Sequence, residues 1–187
     1  KWIDRGAQEA DLAERLEMLS HRHSKDREST GFDKDDEQLA CYIMLLDPAG
    51  PIRLKDFSAN IDALGAMLAD GMATNKRQYI DAVENIISRN LLSILDSNAD
   101  LNISSQESLF AFQKCLELLR KKDIGFGIER CLYELNPTLS CQSPLVIDEV
   151  IFSSEDLLVF LDKNEGVGEK ILDKHMAALL SERMELT

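Results

Sequence analysis

Apolar residues recur at helical spacing along most of the chain. In the segment from Ala7 to His23, Leu12, Leu16 and Leu19 share one face and Ala13 widens it, which predicts an amphipathic helix. The next run, Ser24 to Asp36, is almost entirely charged or small and predicts a flexible linker with Phe32 as its only anchor. Asp35 or Asp36 is placed to cap a helix whose apolar positions are Leu39, Tyr42, Ile43 and Leu46. Asp47-Pro48-Ala49-Gly50-Pro51 breaks that helix, and Ile52-Arg53-Leu54 reads as a short extended piece. Asp56 then opens a helix carrying Phe57, Ile61, Leu64, Met67 and Leu68, ending at Gly71.

Thr74 stands as N-cap of a long helix to about Leu95, with Tyr79, Ile80, Val83, Ile86, Ile87, Leu91, Ile94 and Leu95 as its stripe. A further helix is expected from about Ser105 to Lys122, with Leu109, Phe112, Leu116 and Leu119 apolar and Phe110, Cys115 and Leu118 broadening the face. Asp123-Ile124-Gly125-Phe126-Gly127 breaks the pattern. A shorter helix to about Leu135 follows, then a loop with Pro137 and Pro144. Leu145 to Phe152 fits a strand or a helix, since Val146, Ile147, Val150 and Ile151 are β-branched. Ser153 or Ser154 caps a helix with Leu157, Leu158, Phe160 and Leu161, and Asn164-Glu165-Gly166-Val167-Gly168 ends it. A last amphipathic helix to about Met184 carries Ile171, Leu172, His175, Met176, Leu179 and Leu180.

The fold class that emerges is mainly α: about eight helices in an orthogonal or bundle arrangement. The expected organisation is an N-terminal helix and linker over residues 1–34 and a helical domain over 35–187. With 187 residues the chain is long enough to bury a core without staples. Asp and Glu outnumber Lys and Arg by 34 to 21, and the net charge of −13 repels nucleic acid and anionic membranes and suits cations or basic, helical protein partners. Cys41, Cys115, Cys131 and Cys141 form no CxxC pair; Cys41 and Cys115 lie in apolar runs, as small hydrophobes do, which favours reduced thiols and a cytoplasmic setting. No run is long enough for a membrane span, and no signal-peptide pattern occurs. The first residue is Lys1 rather than Met, so the chain reads as a fragment.

One stretch carries candidate chemistry. Asp96, Asn98, Asp100, Asn102, Ser104 and Glu107 stand at positions 1, 3, 5, 7, 9 and 12 of a twelve-residue window. This resembles an EF-hand calcium loop. The resemblance implies Ca2+ held by side-chain oxygens of Asp96, Asn98 and Asp100, the carbonyl of Asn102, Ser104 directly or through water, and Glu107 bidentate, with Ile103 pointing inward. Leu101 replaces the usual glycine at position 6, where positive φ costs an L-residue about 1–2 kcal/mol. Ser104-Ser105-Gln106-Glu107 also reads as a metal-free capping box. Upstream, Leu45 to Asp56 fits the same template with Asp47, Gly50, Ile52 and Asp56 at positions 3, 6, 8 and 12. A degenerate EF-hand-like pair over 35–122 would join the loops by a short β-ladder between Ile52 and Ile103, leaving 123–187 as C-terminal helices. The competing reading of the upstream loop is an ordinary Pro-Gly turn.

Ile86 to Asp96 (IISRNLLSILD) and Leu116 to Ile124 (LELLRKKDI) resemble segments of the acidic, all-helical gatekeeper proteins of type III secretion. That resemblance implies binding to a secretion chaperone or export gate, and it carries no functional residue across. Other constellations point to structure. His21 and His23 face different sides of a helix, and His175 lies near an apolar stripe. Gly125-Phe126-Gly127 and Gly166-Val167-Gly168 punctuate helices, and Arg120-Lys121-Lys122 complements a helix dipole or offers a basic contact. The pairs Glu165 with Glu169 and Asp148 with Glu149 lack an acid–base partner, and no nucleophile-and-base pair is visible. The expected function is therefore non-catalytic: a regulatory or adaptor module that binds proteins through helix faces, modulated by calcium at Asp96–Glu107, which would expose Phe110 and Phe112. The alternative is a metal-independent secretion regulator or gatekeeper-type domain.

Overall fold

A computed structural model describes residues 10–19, 34–95, 101–146, 148–163 and 172–185. Among these residues eight α-helices and one two-stranded sheet form. They are α1 (10–19), α2 (Lys34–Leu46), β1 (Ile52–Leu54), β2 (Phe57–Ala59), α3 (Leu64–Ala73), α4 (Arg77–Ser88), α5 (Ile103–Arg120), α6 (Ile128–Leu135), α7 (Ser154–Lys163) and α8 (Lys174–Glu185). Short 3₁₀ turns at Ile61–Ala63 and Leu91–Leu95 complete the chain path.

The centre of the molecule is α6. It packs against α3, α5 and α8, and Arg130, Cys131, Leu132 and Tyr133 are buried in succession, so the helix is enclosed on every side. Around it, α3 pairs with α4 and α7 with α8. The close approach of α3 to α6 depends on Gly65, where a Cβ would stand 2.7 Å from the backbone oxygen of Leu135. The N-terminal helix α1 joins the same core: Leu19 is buried, Leu12 and Leu16 pack against the cluster, and Arg15 donates to the carbonyl of Ile94 at 2.7 Å.

Several local expectations are corrected. Asp56 does not open a helix, and Phe57 starts a strand. Ile52, Leu54, Phe57 and Ala59 alternate inward, and the antiparallel register Ile52↔Ala59, Leu54↔Phe57 makes a hairpin turned by Lys55 at φ 55°. The ladder thus lies within one hairpin rather than between two loops; Ile103, the other expected partner of Ile52, is the first residue of α5. The buried face of α2 is Ala40, Cys41, Met44 and Leu45, whereas Leu39 and Leu46 are exposed. Asp35 and Asp36 sit in the first turn of α2 rather than capping it. Thr74 closes α3 instead of opening α4, its Oγ1 donating to the Asp70 carbonyl at 2.6 Å. The long helix expected to reach Leu95 stops at Ser88, with Asn90 at φ 51° before the 3₁₀ turn; of its stripe, Val83, Ile86, Ile87, Leu91 and Leu95 are buried and Tyr79, Ile80 and Ile94 are half-buried. Residues 145–152 are irregular where described. Ser153 is the cap of α7: its Oγ accepts the Asp156 N–H at 3.0 Å and donates to the Asp156 carboxylate at 2.8 Å.

Candidate functional site

The two loops singled out in the sequence meet in space. A polar cavity of about 130 Å³ is lined by Pro48, Ala49 and Gly50 from the first, Leu101, Asn102 and Ser105 from the second, and Asn60, Ile61 and Asp62 after the hairpin. Asp96, Asn98 and Asp100 lie outside the described residues, as do residues 20–33, which hold most of the expected linker, and the glycine break at 164–168. The side-chain placement of Ile103 is likewise not described.

The described half of the Asp96–Glu107 loop takes a form unlike the calcium template. Asn102, not Ser104, is the N-cap of α5: its Oδ1 accepts the Ser105 N–H at 2.8 Å and its carbonyl accepts the Gln106 N–H at 3.0 Å. Gln106 reaches back from Nε2 to the Leu101 carbonyl at 3.0 Å. Leu101 is buried in the core, which accounts for an apolar residue in this position. Ser104 and Glu107 are exposed on the first turns of α5. The chain is helical from Ile103, where the template has an extended run, and the Asn102 carbonyl is taken up by the Gln106 N–H. Among the described residues no group of three or more His, Cys, Asp or Glu is placed to hold a metal ion.

The cap gives a direct prediction. Replacing Asn102 with alanine is expected to destabilise the protein by about 1 kcal/mol in urea unfolding. The loss should be the same in chelator as in millimolar calcium, because the cap acts on backbone N–H groups rather than through an ion. A loss confined to calcium-containing buffer would show that the residue acts through metal.

Two buried polar clusters lie elsewhere. Tyr133 Oη accepts the Gln142 N–H at 2.9 Å and lies 3.5 Å from His175 Nδ1, and the two rings meet edge-on. Asp173 caps α8 through the Met176 N–H at 2.9 Å and accepts the Ser143 hydroxyl at 2.6 Å. Burial holds His175 below the usual histidine range, against the pull of Asp173 and Glu129, and burial pushes the Cys141 thiol up. The Cys115 thiol is raised by its hydrogen bond to Cys131 and by burial. All four cysteines are buried free thiols, and Cys141 and Cys115 stay protonated, so these two pack rather than react. The second cluster joins α5, α6 and α8. Arg130, with no exposed surface, donates to Ser181 Oγ at 2.7 Å and lies 3.8 Å from Glu134, which also takes Lys114 at 2.9 Å.

Two regions carry exposed apolar residues that the sequence pattern does not mark as exposed. Leu145, Val150, Phe152, Leu158 and Val159 are all exposed, between residues 145 and 159. The other is the turn after α5, where Ile124 is 84 % exposed beside Lys121 and Lys122. Neither has a periodic signal: an apolar residue in a turn or on a half-buried helix reads as core until neighbours are placed around it. On α5 itself, Phe112 of the apolar stripe points in, whereas Phe110, expected to broaden that face, points out. Comparison with protein-family models, with curated proteins and with solved structures gives no match.

Proposed function

We propose that this chain is a non-catalytic helical module that binds a protein partner. The observation that supports the reading is the surface between residues 145 and 159. Leu145, Val150, Phe152, Leu158 and Val159 are each about half exposed or more. Large apolar groups left in water are the usual anchors of protein interfaces. This surface is held in shape by the fold. Cys141 donates its N–H to the Ile151 carbonyl at 2.7 Å, Arg183 Nε donates to the Phe152 carbonyl at 3.1 Å, and α7 is seated by fully buried Leu157. Exposed apolar groups held in place by the fold bind without first being ordered.

The test is site-specific photo-crosslinking in the source cell, with the probe at Leu158 and, as control, at exposed Glu84 on α4. A partner protein captured at Leu158, absent at Glu84 and lost in the Val150→Asp variant is the expected result. Equal capture at both positions, or capture indifferent to Val150→Asp, rejects this surface. Calcium modulation and the gatekeeper reading are arms of the same experiment. Capture that changes with calcium and loses that change in Glu107→Gln supports calcium control, and a secretion chaperone or export component as the captured protein supports the gatekeeper alternative. No helix among the described residues is long and apolar enough to cross a membrane.

A further inference from the structure

The turn from Lys121 to Gly127 is built to hold one apolar side chain out into water among cations. Gly125 and Gly127 adopt φ 88° and 89°, a region that L side chains rarely enter. Gly125 lies flat on α8, where a Cβ would stand 2.9 Å from the Ala177 carbonyl oxygen. Gly127 donates its N–H back to the Leu118 carbonyl at 3.2 Å, so the turn is tied to the end of α5 as well. Immediately before these two anchors Ile124 projects outward, 84 % exposed. Folding gains nothing from an isoleucine in that place.

The charges around it invert those of the molecule. The net charge is −13, yet Arg120-Lys121-Lys122 is a run of three consecutive cations. All three side chains are exposed. Arg120 and Lys122 make no ion pair among the described residues, and Lys121 lies over the Phe126 ring at 4.6 Å. A cavity of about 860 Å³ opens beside the turn, lined among others by Lys121, Lys122, Ile124, Phe126, Leu172 and Lys174. Three carboxylates also line it, and two are engaged: Asp173 by the Met176 N–H and the Ser143 hydroxyl, and Glu129 by Lys174 at 3.6 Å. Asp123 is the remaining acid against Arg120, Lys121 and Lys122. Stabilising the α5 dipole accounts for a cation in the last helical turn, but not for the exposed isoleucine or the cavity.

We infer that this turn and its cavity are a docking site for an acidic peptide segment of a protein partner, one that carries a bulky apolar side chain. The segment's carboxylates would pair with Lys121, Lys122 and Arg120, and its apolar side chain would enter the cavity against Ile124, Phe126 and Leu172. The inference rests on the protein-binding reading but on a separate surface. A concave site admits protruding groups of a peptide, whereas a flat lipid surface has none to insert, and the overall negative charge opposes an anionic membrane.

The experiment is selection of a random twelve-residue phage-displayed peptide library on the whole chain, followed by fluorescence anisotropy of the selected peptides. Peptides rich in Asp and Glu around one Leu, Ile, Phe or Met are expected. Their affinity should fall at least about tenfold in Lys121→Glu/Lys122→Glu and in Ile124→Asp, and should weaken with added salt. These residues are exposed, so both variants are expected to melt as the wild type does. Selection that yields no binders, or binders indifferent to both variants, overturns the inference. Binders lost in Val150→Asp but kept in Lys121→Glu/Lys122→Glu overturn it while leaving the protein-binding reading standing. Sedimentation with phosphatidylserine–phosphatidylcholine vesicles, if abolished by Ile124→Asp, overturns it in favour of a membrane contact.

Discussion

Arg130→Ala is expected to lower the stability of the protein by about 3–5 kcal/mol, with an unchanged denaturant slope in urea unfolding. The guanidinium has no exposed surface and sits where α5, α6 and α8 converge. It donates to Ser181 Oγ at 2.7 Å and lies 3.8 Å from the Glu134 carboxylate. Glu182, 3 % exposed, is nearby: burial raises its pKa, and Arg183 and Arg130 pull it back. Removing Arg130 therefore takes a cation from two poorly solvated carboxylates and leaves a cavity as well. Arg130→Met keeps most of the volume and the apolar stem, so it should lose less than alanine, and the difference between the two measures the cavity. If Arg130→Ala unfolds within about 1 kcal/mol of the wild type, the buried carboxylates do not depend on it.

Gly65→Ala is expected to destabilise by about 1–3 kcal/mol, although alanine is the better helix former by about 1 kcal/mol. The sign is the informative part. In α3 a Cβ at this position would meet the backbone oxygen of Leu135 at 2.7 Å and its Cβ at 3.1 Å. A carbonyl cannot swing aside as a side-chain end can, so α6 must move. That movement strains the clip made by Asn136 Nδ2, which donates to the Gly65 carbonyl at 3.0 Å and to the Leu132 carbonyl at 2.8 Å. Thermal melting of Gly65→Ala decides the matter: a raised melting temperature would mean that the two helices have room to part.

Helices with one strongly one-sided stripe were legible from the sequence. Val83, Ile86, Ile87, Leu91 and Leu95 are buried in α4 and the turn after it, as their spacing implies, with Ala82 and Leu92 buried beside them and Tyr79, Ile80 and Ile94 half-buried. Where two adjacent faces were both apolar, spacing did not choose between them. On α2 the sequence points to the face of Leu39, Tyr42, Ile43 and Leu46, but the core took Ala40, Cys41, Met44 and Leu45 and left Tyr42 and Ile43 half-buried. The hairpin was misread because Phe57, Ile61, Leu64 and Leu68 fit a helix by spacing, while the turn at Lys55–Asp56 carries neither glycine nor asparagine to announce it. For the Asp96–Glu107 loop, the pattern located a junction between elements. It did not specify that Asn102 would cap α5, because Ser104 and Asn102 are equally good caps in sequence. The exposed residues Ile124, Val150 and Leu158 were illegible, since exposure depends on what the rest of the chain leaves uncovered.

The enclosure of α6 bears on how this sequence can drift over generations. Arg130, Cys131, Leu132 and Tyr133 are all buried in a helix packed between α3, α5 and α8, and have no outward side on which a change would pass unnoticed. Most helices offer selection a free face, and this one does not. Relatives of the chain should therefore keep this short segment while their outer helices diverge, so that four adjacent letters become a better signature of descent than any of the longer amphipathic stretches around them.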